Sequence, residues 1–264
     1  MGCSKCGRPG VIFQEYSGLH LCREHFREDF LHKAKKTVRK NHWLVPGEQY
    51  AVALSGGPAS CALLDFMRIL VGERKDIHLM AVTMQHNDPD RMENARAITE
   101  ALDIPWFVIP EENATINTHP DNGPGTTNHS PFLTHVSAEY HLSRMADQLK
   151  IDALVLGYTL EDHAEWVLWN AISGTGIQNS FCPAEGRKTV RIIRPFTHIS
   201  RQELDLYTRL FLNDYYRRRQ VETKNCMDDP INAILEHFYG RHPGVPFALV
   251  NIGEQLKKFR DQVS

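Results

Sequence analysis

Residues 50–71 restrict the architecture more tightly than any other stretch. Tyr50-Ala-Val-Ala-Leu54 is a short apolar run that stops at Ser55-Gly56-Gly57. Apolar residues at helical spacing then follow, Leu63, Leu64, Phe66, Met67 and Leu70. A strand is a short apolar run closed by a turn signal, and a helix repeats its apolar residues every three or four positions. The stretch therefore reads as strand, glycine turn, helix. The same alternation continues downstream: strand 77–84, helix 92–102, strand 106–109, a loop over 110–130, helix 132–149, strand 152–157, helix 160–173 and strand 191–195. Helical segments over 200–214, 230–240 and 246–261 close the chain. Strands that alternate with helices of this length imply an α/β fold with a parallel, doubly wound sheet. In such sheets ligands bind beyond the carboxyl ends of the strands.

The Ser55–Ser60 turn is the first candidate site. A glycine-rich bend between a strand and a helix presents backbone N–H groups and the positive end of the helix to an anion. Ser55, Gly56, Gly57 and Ser60 are the candidate phosphate-binding residues, with the two hydroxyls as added donors. Pro58 lacks an N–H but suits the first turn of a helix. An ordinary strand-to-helix turn would show the same residues. No Walker A pattern is present.

The second candidate site precedes the sheet. Cys3 and Cys6 are spaced C-x2-C, and Cys22 and His25 are spaced C-x2-H, around an insert suited to a hairpin. Two such pairs make a tetrahedral ligand set, and four protein ligands leave no open position, so the reading is a structural zinc finger. A segment this short depends on its metal to fold. Three of the six cysteines fall in this segment, a distribution that suits a metal site in a reducing cytoplasm and not a disulfide framework. The basic helical stretch that follows, with Lys33, Lys35, Lys36, Arg39 and Lys40, reads equally as a solvated helix or as an RNA-facing patch. The expected organisation is a finger over 1–26, a basic helical linker over 27–47, a nucleotide-binding domain over 48–200 and a helical region over 201–264.

The formal net charge of −2 excludes a chain that binds nucleic acid by bulk basicity, so any such surface is local. No apolar run reaches the length of a membrane span. Cys61 reads as core packing, as do Trp166 and Trp169. Cys182 has no partner at metal spacing. His119, His129, His135 and His141 could replace thiolates as ligands but read better as surface or hydrogen-bonded residues. Arg217, Arg218 and Arg219, beside Tyr215 and Tyr216, could contact phosphate and stack on a base, or simply end a helix.

With these residues in view, the chain resembles the tRNA 2-thiolation family, the group of thiouridine synthetases and cytosolic thiouridylases. The finger that ends in Leu21-Cys22-Arg23-Glu24-His25-Phe26 is similar to that family's opening finger. Ser55-Gly56-Gly57-Pro58-Ala59-Ser60 is similar to its PP-loop, Ser-Gly-Gly-x-Asp-Ser. Gly157-Tyr-Thr-Leu-Glu-Asp-His-Ala-Glu165 resembles its Gly-His-x-x-Asp-Asp-x-Ala segment, Arg194-Pro195-Phe196 its Arg-Pro-Leu, and Asn225-Cys226-Met227 the region of its late cysteine. The resemblance implies a PP-loop ATPase fold like that of the adenine nucleotide alpha-hydrolases. It implies ATP with Mg²⁺ as cofactor, tRNA as partner, adenylation of a pyrimidine carbonyl, and displacement of AMP by sulfur. It assigns Glu161 and Asp162 to magnesium or the adenylate, and Cys226 to chemistry. A sulfur carrier protein, an active paralogue or a second copy are the further partners implied, in the cytoplasm and with no membrane.

The chain also departs from that pattern. Ala59 stands where the loop has Asp. Phe132 and His135 stand where the family has a C-x2-C pair. Glu139 and Tyr140 replace basic residues, Tyr158 replaces a histidine, and the family's C-terminal zinc finger has no counterpart before Ser264. Cys226 without two companions argues against an iron–sulfur cluster. These changes fall on the chemistry and spare the scaffold. The alternative function is therefore a catalytically silent paralogue that binds nucleotide, tRNA or an active family member. An amidotransferase-like ligase is disfavoured, since no glutaminase cysteine motif is present.

Overall fold

The structure, a computed structural model, describes residues 1–110, 149–173, 190–214, 216, 230–239 and 241–263. A hairpin of β1 (Ile12–Gln14) and β2 (Leu19–Leu21) opens the chain and pairs Phe13 with His20. Helix α1 (Arg23–Lys40) follows, then β3 (Gln49–Ala53), α2 (Pro58–Val71), β4 (His78–Met84), α3 (Pro89–Leu102) and β5 (Trp106–Ile109). Beyond them lie β6 (Ala153–Val155), α4 (Leu160–Ser173), β7 (Arg191–Ile193), α5 (Arg201–Phe211), α6 (Pro230–Tyr239) and α7 (Val245–Val263).

The five strands β3–β7 form one parallel sheet in the order β5-β4-β3-β6-β7. The chain winds outward from β3 through β4 to β5, then returns to β6 on the other side of β3. The direction of winding therefore reverses between β3 and β6, and a ligand crevice is expected beyond the carboxyl ends of those two strands. The fold class is the one the alternation of strands and helices implies.

Side-chain alternation divides the core. Tyr50, Val52 and Leu54 of the β3 segment face one layer, together with Ala81, Val155 and Ile193. Ala51, Met80, Val82, Ile109 and Leu154 face the other. Helix α2 is buried on most of its surface, and it brings Cys61, Leu63, Leu64, Phe66 and Met67 into the first layer. Helix α1 takes in residues 27–40 of the stretch read as a linker over 27–47, and its Phe26, Phe30, Ala34 and Val38 enter the same layer. Phe30 stacks on Tyr207 of α5 with ring centroids 4.1 Å apart. Complete burial of one such phenyl ring contributes about 1.5–3 kcal/mol, so Phe30→Ala would loosen α1 from the sheet. A smaller cluster of Leu160, Ala164 and Val250 joins α4 to α7.

Most elements lie within a few residues of their expected places. Helix α3 begins at Pro89, earlier than the expected residue 92. Asp88 caps it by accepting from the Arg91 N–H at 3.2 Å, and Pro89 occupies the first helical position. All but the first residue of the expected loop over 110–130 and most of the expected helix over 132–149 fall outside the described residues.

Candidate functional site: the glycine bend and the thiol cluster

The first site lies directly beyond β3. Ser55 is exposed, Gly57, Pro58 and Ala59 are half-buried, and Gly56 and Ser60 are buried. The bend is held from inside by Ser60. Its hydroxyl accepts from the Ser55 N–H at 3.2 Å, lies 3.2 Å from the Ser55 hydroxyl, and donates to the Gly57 carbonyl at 3.1 Å. Gly57 is the N-cap of α2, and Pro58 takes the first helical position. The N–H groups of Ala59 and Ser60 then fall in the first turn, where no intrahelical acceptor exists. These amides lie at the positive end of a 14-residue helix, which makes the bend a candidate anion site.

Neighbouring elements brace the bend from outside. Gly56 has φ +69°, and a Cβ there would stand 1.8 Å from the Arg91 carbonyl oxygen. Asn94 donates to the Gly56 carbonyl at 3.3 Å, and His86 Nε2 lies 3.3 Å from the Ser55 carbonyl. On the β6 side, a Cβ on Gly157 would stand 3.2 Å from the Ala59 carbonyl oxygen. The loops after β3 and β6 thus meet at the reversal of the sheet. Ala59 supplies only a methyl group there. Tyr158 lies next to this contact, and the Arg194 guanidinium sits 5.3 Å from its ring centre.

Glu161 and Asp162 open α4, but both are engaged by other groups. Thr159 and Asp162 form a reciprocal cap: Thr159 N–H and hydroxyl donate to Asp162 Oδ2 at 2.8 Å, and the Asp162 N–H donates back to the hydroxyl at 3.2 Å. Asp162 Oδ1 accepts from the Arg201 guanidinium at 2.6 Å, and Glu165 Oε1 accepts from it at 2.8 Å. Glu161 accepts from the Arg201 N–H at 2.9 Å. Burial holds the Glu161 carboxyl above the usual carboxylate range. Burial alone would lower the Arg201 guanidinium, but Asp162, Glu165 and Glu161 outweigh it and raise its pKa. Sequence reasoning missed Arg201, because its partners lie 36–40 residues away. Cys226 lies outside the described residues.

The second site is the finger. Cys3 Sγ and Cys22 Sγ each lie 3.4 Å from His25 Nδ1, and Cys6 Sγ lies 3.7 Å from Cys22 Sγ. All four donor atoms fall within 4.8 Å of one another. A tetrahedron with metal–sulfur bonds of about 2.3 Å and metal–nitrogen bonds of about 2.0–2.1 Å has edges of roughly 3.6–3.8 Å. The donors therefore stand at the spacing of one tetrahedral ion. Two local features put them there. A tight turn carries the first pair, with the Gly7 N–H donating to the Cys3 carbonyl at 2.8 Å. Cys22 is the N-cap of α1, and His25 lies in that helix's first turn. Burial would raise the Cys3 thiol, but backbone N–H groups and His25 bring it down to about 6.

The finger is fastened to the sheet domain by a buried polar hub. Gln14 and Tyr16, from the hairpin and its turn, donate to Glu203 Oε1 at 2.7 and 2.9 Å. Lys33 of α1 donates to the same oxygen at 2.7 Å. The other oxygen accepts from the Ser200 N–H at 3.0 Å and completes the cap of α5. Glu203 is 2% exposed, so all its lone pairs are met by protein.

Cys61 is fully buried in α2, and burial pushes its thiol up to about 12. Trp166 and Trp169 are half-buried on α4. Cys182, Arg217, Arg218, Arg219 and the histidines between 119 and 141 lie outside the described residues. No described helix is long and apolar enough to cross a membrane.

Comparison with known proteins agrees with this arrangement. The N-terminal LIM domain of the 2-thiouridine synthetase TtuA matches residues 3–27, and the PP-loop domain matches residues 26–217. Cytoplasmic tRNA 2-thiolation protein 1 of Drosophila yakuba is 25% identical over 98% of this chain and 78% of its own length. The tRNA 2-thiolation protein NcsA of Haloferax volcanii is 27% identical over 66% of this chain and 58% of its own length. The solved U34-tRNA thiolase NcsA of Methanococcus maripaludis superposes with a TM-score of 0.77 at 23% identity, covering 97% of this chain and 88% of that one.

The last comparison corrects one expectation. That thiolase is described with its [4Fe-4S] cluster. The lack of two companions for Cys226 is a count of thiols along the sequence, and it does not stand against a cluster on the same fold. Positions 132, 135 and 226, on which the argument rested, lie outside the described residues. Among the described residues the donors gathered at metal spacing are Cys3, Cys6, Cys22 and His25, and that spacing does not by itself tell zinc from iron. The glycine bend at the reversal of a parallel sheet, the four-donor finger and the two matched segments lead to one assignment: the chain belongs to the PP-loop family, with a TtuA-type N-terminal domain, among relatives named as tRNA 2-thiolation proteins.

Proposed function

We propose that this chain binds ATP and tRNA and activates a pyrimidine carbonyl for thiolation. The carbonyl oxygen attacks the α-phosphorus of ATP and pyrophosphate leaves. A sulfur nucleophile then attacks the activated carbon and AMP leaves. The observation that carries this reading is the Ser55–Ser60 bend, which offers first-turn amides of α2 to an anion beyond the carboxyl end of β3. Ser55, Gly56, Gly57 and Ser60 would hold the phosphates, and fixed amide dipoles would stabilise the pyrophosphate as it departs. Cys3, Cys6, Cys22 and His25 would hold a structural metal ion that orders the entry segment, a thiol-rich set suited to the cytoplasm.

Two observations favour a second reading, a silent member that binds without turning over. Ala59 cannot orient a cation, and both oxygens of Asp162 are taken by Thr159 and Arg201. Exchange of labelled pyrophosphate into ATP separates the two readings. Exchange that depends on added tRNA supports adenylation. Nucleotide binding without exchange leaves the silent reading standing and removes the first.

A further inference from the structure

A basic groove on α1 is not used by either site. His32, Lys36, Arg39 and Lys40 line an open groove of about 450 Å³. All four side chains are exposed, at spacings of four, three and one, so they form one stripe along the helix. Residues 31–40 hold five Lys or Arg and no acidic residue, within a chain whose net charge is −2. Lys40 meets Glu254 of α7 at 2.5 Å, and His198 lies 3.8 Å from the same carboxylate. Lys36 and Arg39 have no carboxylate partner among the described residues. Burial, aided by Lys40 and Lys36, holds His198 below the usual histidine range even though Glu254 opposes it.

The helix dipole explains cations in the last turn, at Arg39 and Lys40, but its reach ends there. His32 and Lys36 lie one to two turns earlier. From His32 to Lys40 the stripe spans roughly 12 Å, long enough to meet more than one phosphate of a strand. An acidic protein would meet the same charge; a linear polyanion is favoured because the cations run lengthwise along one helix face.

We infer that the groove of His32, Lys36, Arg39 and Lys40 seats a run of the phosphodiester backbone of tRNA, an inference that rests on the tRNA reading above. The contact positions the RNA and reads no base.

The test is the affinity of the full chain for bulk tRNA across a salt series, for wild type and for Lys36→Ala/Arg39→Ala. Both residues are exposed, and circular dichroism checks that the variant is folded. Each lost phosphate contact lowers the slope of log affinity against log salt by about 1, so the double variant should lose about 2. ATP affinity should stay unchanged. Wild-type affinity and slope in the variant would overturn the groove as an RNA contact and leave the tRNA reading intact. Absence of salt-dependent tRNA binding by wild type would overturn both.

Discussion

Replacement of Gly56 by alanine tests the construction of the bend without reference to any ligand. Two costs add. At φ +69° an L-residue sits in the left-handed region, at about 1–2 kcal/mol. The new methyl would also stand 1.8 Å from the Arg91 carbonyl oxygen, a backbone atom at the start of α3 that cannot rotate away. Relief needs a shift of well over 1 Å by the bend or by α3, and forced overpacking of this kind costs about 1–3 kcal/mol. The sum is roughly 2–5 kcal/mol. At about 2–4 °C per kcal/mol for a domain of this size, the melting temperature should fall by roughly 4–20 °C. Gly57→Ala is the control. The Gly57 φ is −80°, and its added Cβ would meet only the Ser55 hydroxyl at 3.5 Å, an ordinary contact. Thermal melting by circular dichroism should show a large drop for Gly56→Ala and a much smaller change, about 1–3 °C, for Gly57→Ala, which only weakens an N-cap. Equal melting temperatures for the two variants would refute the bracing of the bend by α3.

Three further outcomes follow from the geometry. Arg201→Ala removes the partner of Asp162 and Glu165 and should cost about 1–3 kcal/mol in denaturant unfolding, less than a fully buried pair because half the arginine side chain is exposed; an unchanged midpoint would count against a structural role. Burial raises the Asp65 carboxyl, which accepts from the Tyr207 hydroxyl at 2.7 Å, so the folded state holds a proton that the unfolded state releases. The stability from Asp65 is present below its unfolded pKa and is lost as pH rises through the folded one, so Asp65→Asn should gain melting temperature relative to wild type as pH rises from the acid side toward neutrality. Cys22→Ser should reduce bound metal from about one equivalent to near zero, with elemental analysis for zinc and iron as the measurement; full metal content in the variant would dismiss the four-donor site.

Much of the scaffold was legible because its signals are local. The change from a short apolar run to apolar residues at helical spacing across Ser55–Gly57 is written within 22 residues, and it places β3 and α2 to within two positions. The finger was legible because two C-x2 pairs have few other uses. Contacts made across the fold were not legible. Nothing near Gly56 announces that Arg91, 35 positions later, leaves it no room for a side chain. Nothing near Glu161 and Asp162 shows that Arg201 occupies them, so a resemblance alone assigned them to magnesium. The early start of α3 was readable in Asp88-Pro89, a cap and a first-turn proline, but the apolar spacing that begins at Met92 hid it. The argument against a cluster failed for a related reason: donors meet in space, and counting them in order leaves out the fold.

The hub at Glu203 carries a consequence for how this protein comes apart. One carboxylate answers to the hairpin through Gln14 and Tyr16, to α1 through Lys33, and to the start of α5 through Ser200. Family boundaries fall at residues 26–27, yet no seam in cohesion runs there. Loosening of the entry segment would withdraw the Gln14 and Tyr16 donors and leave Glu203 to Lys33 and Ser200 alone, so damage at the first 25 residues would be felt at the sheet. A scanning calorimeter should record a single endotherm, with chelator lowering the whole peak and not splitting off a small one.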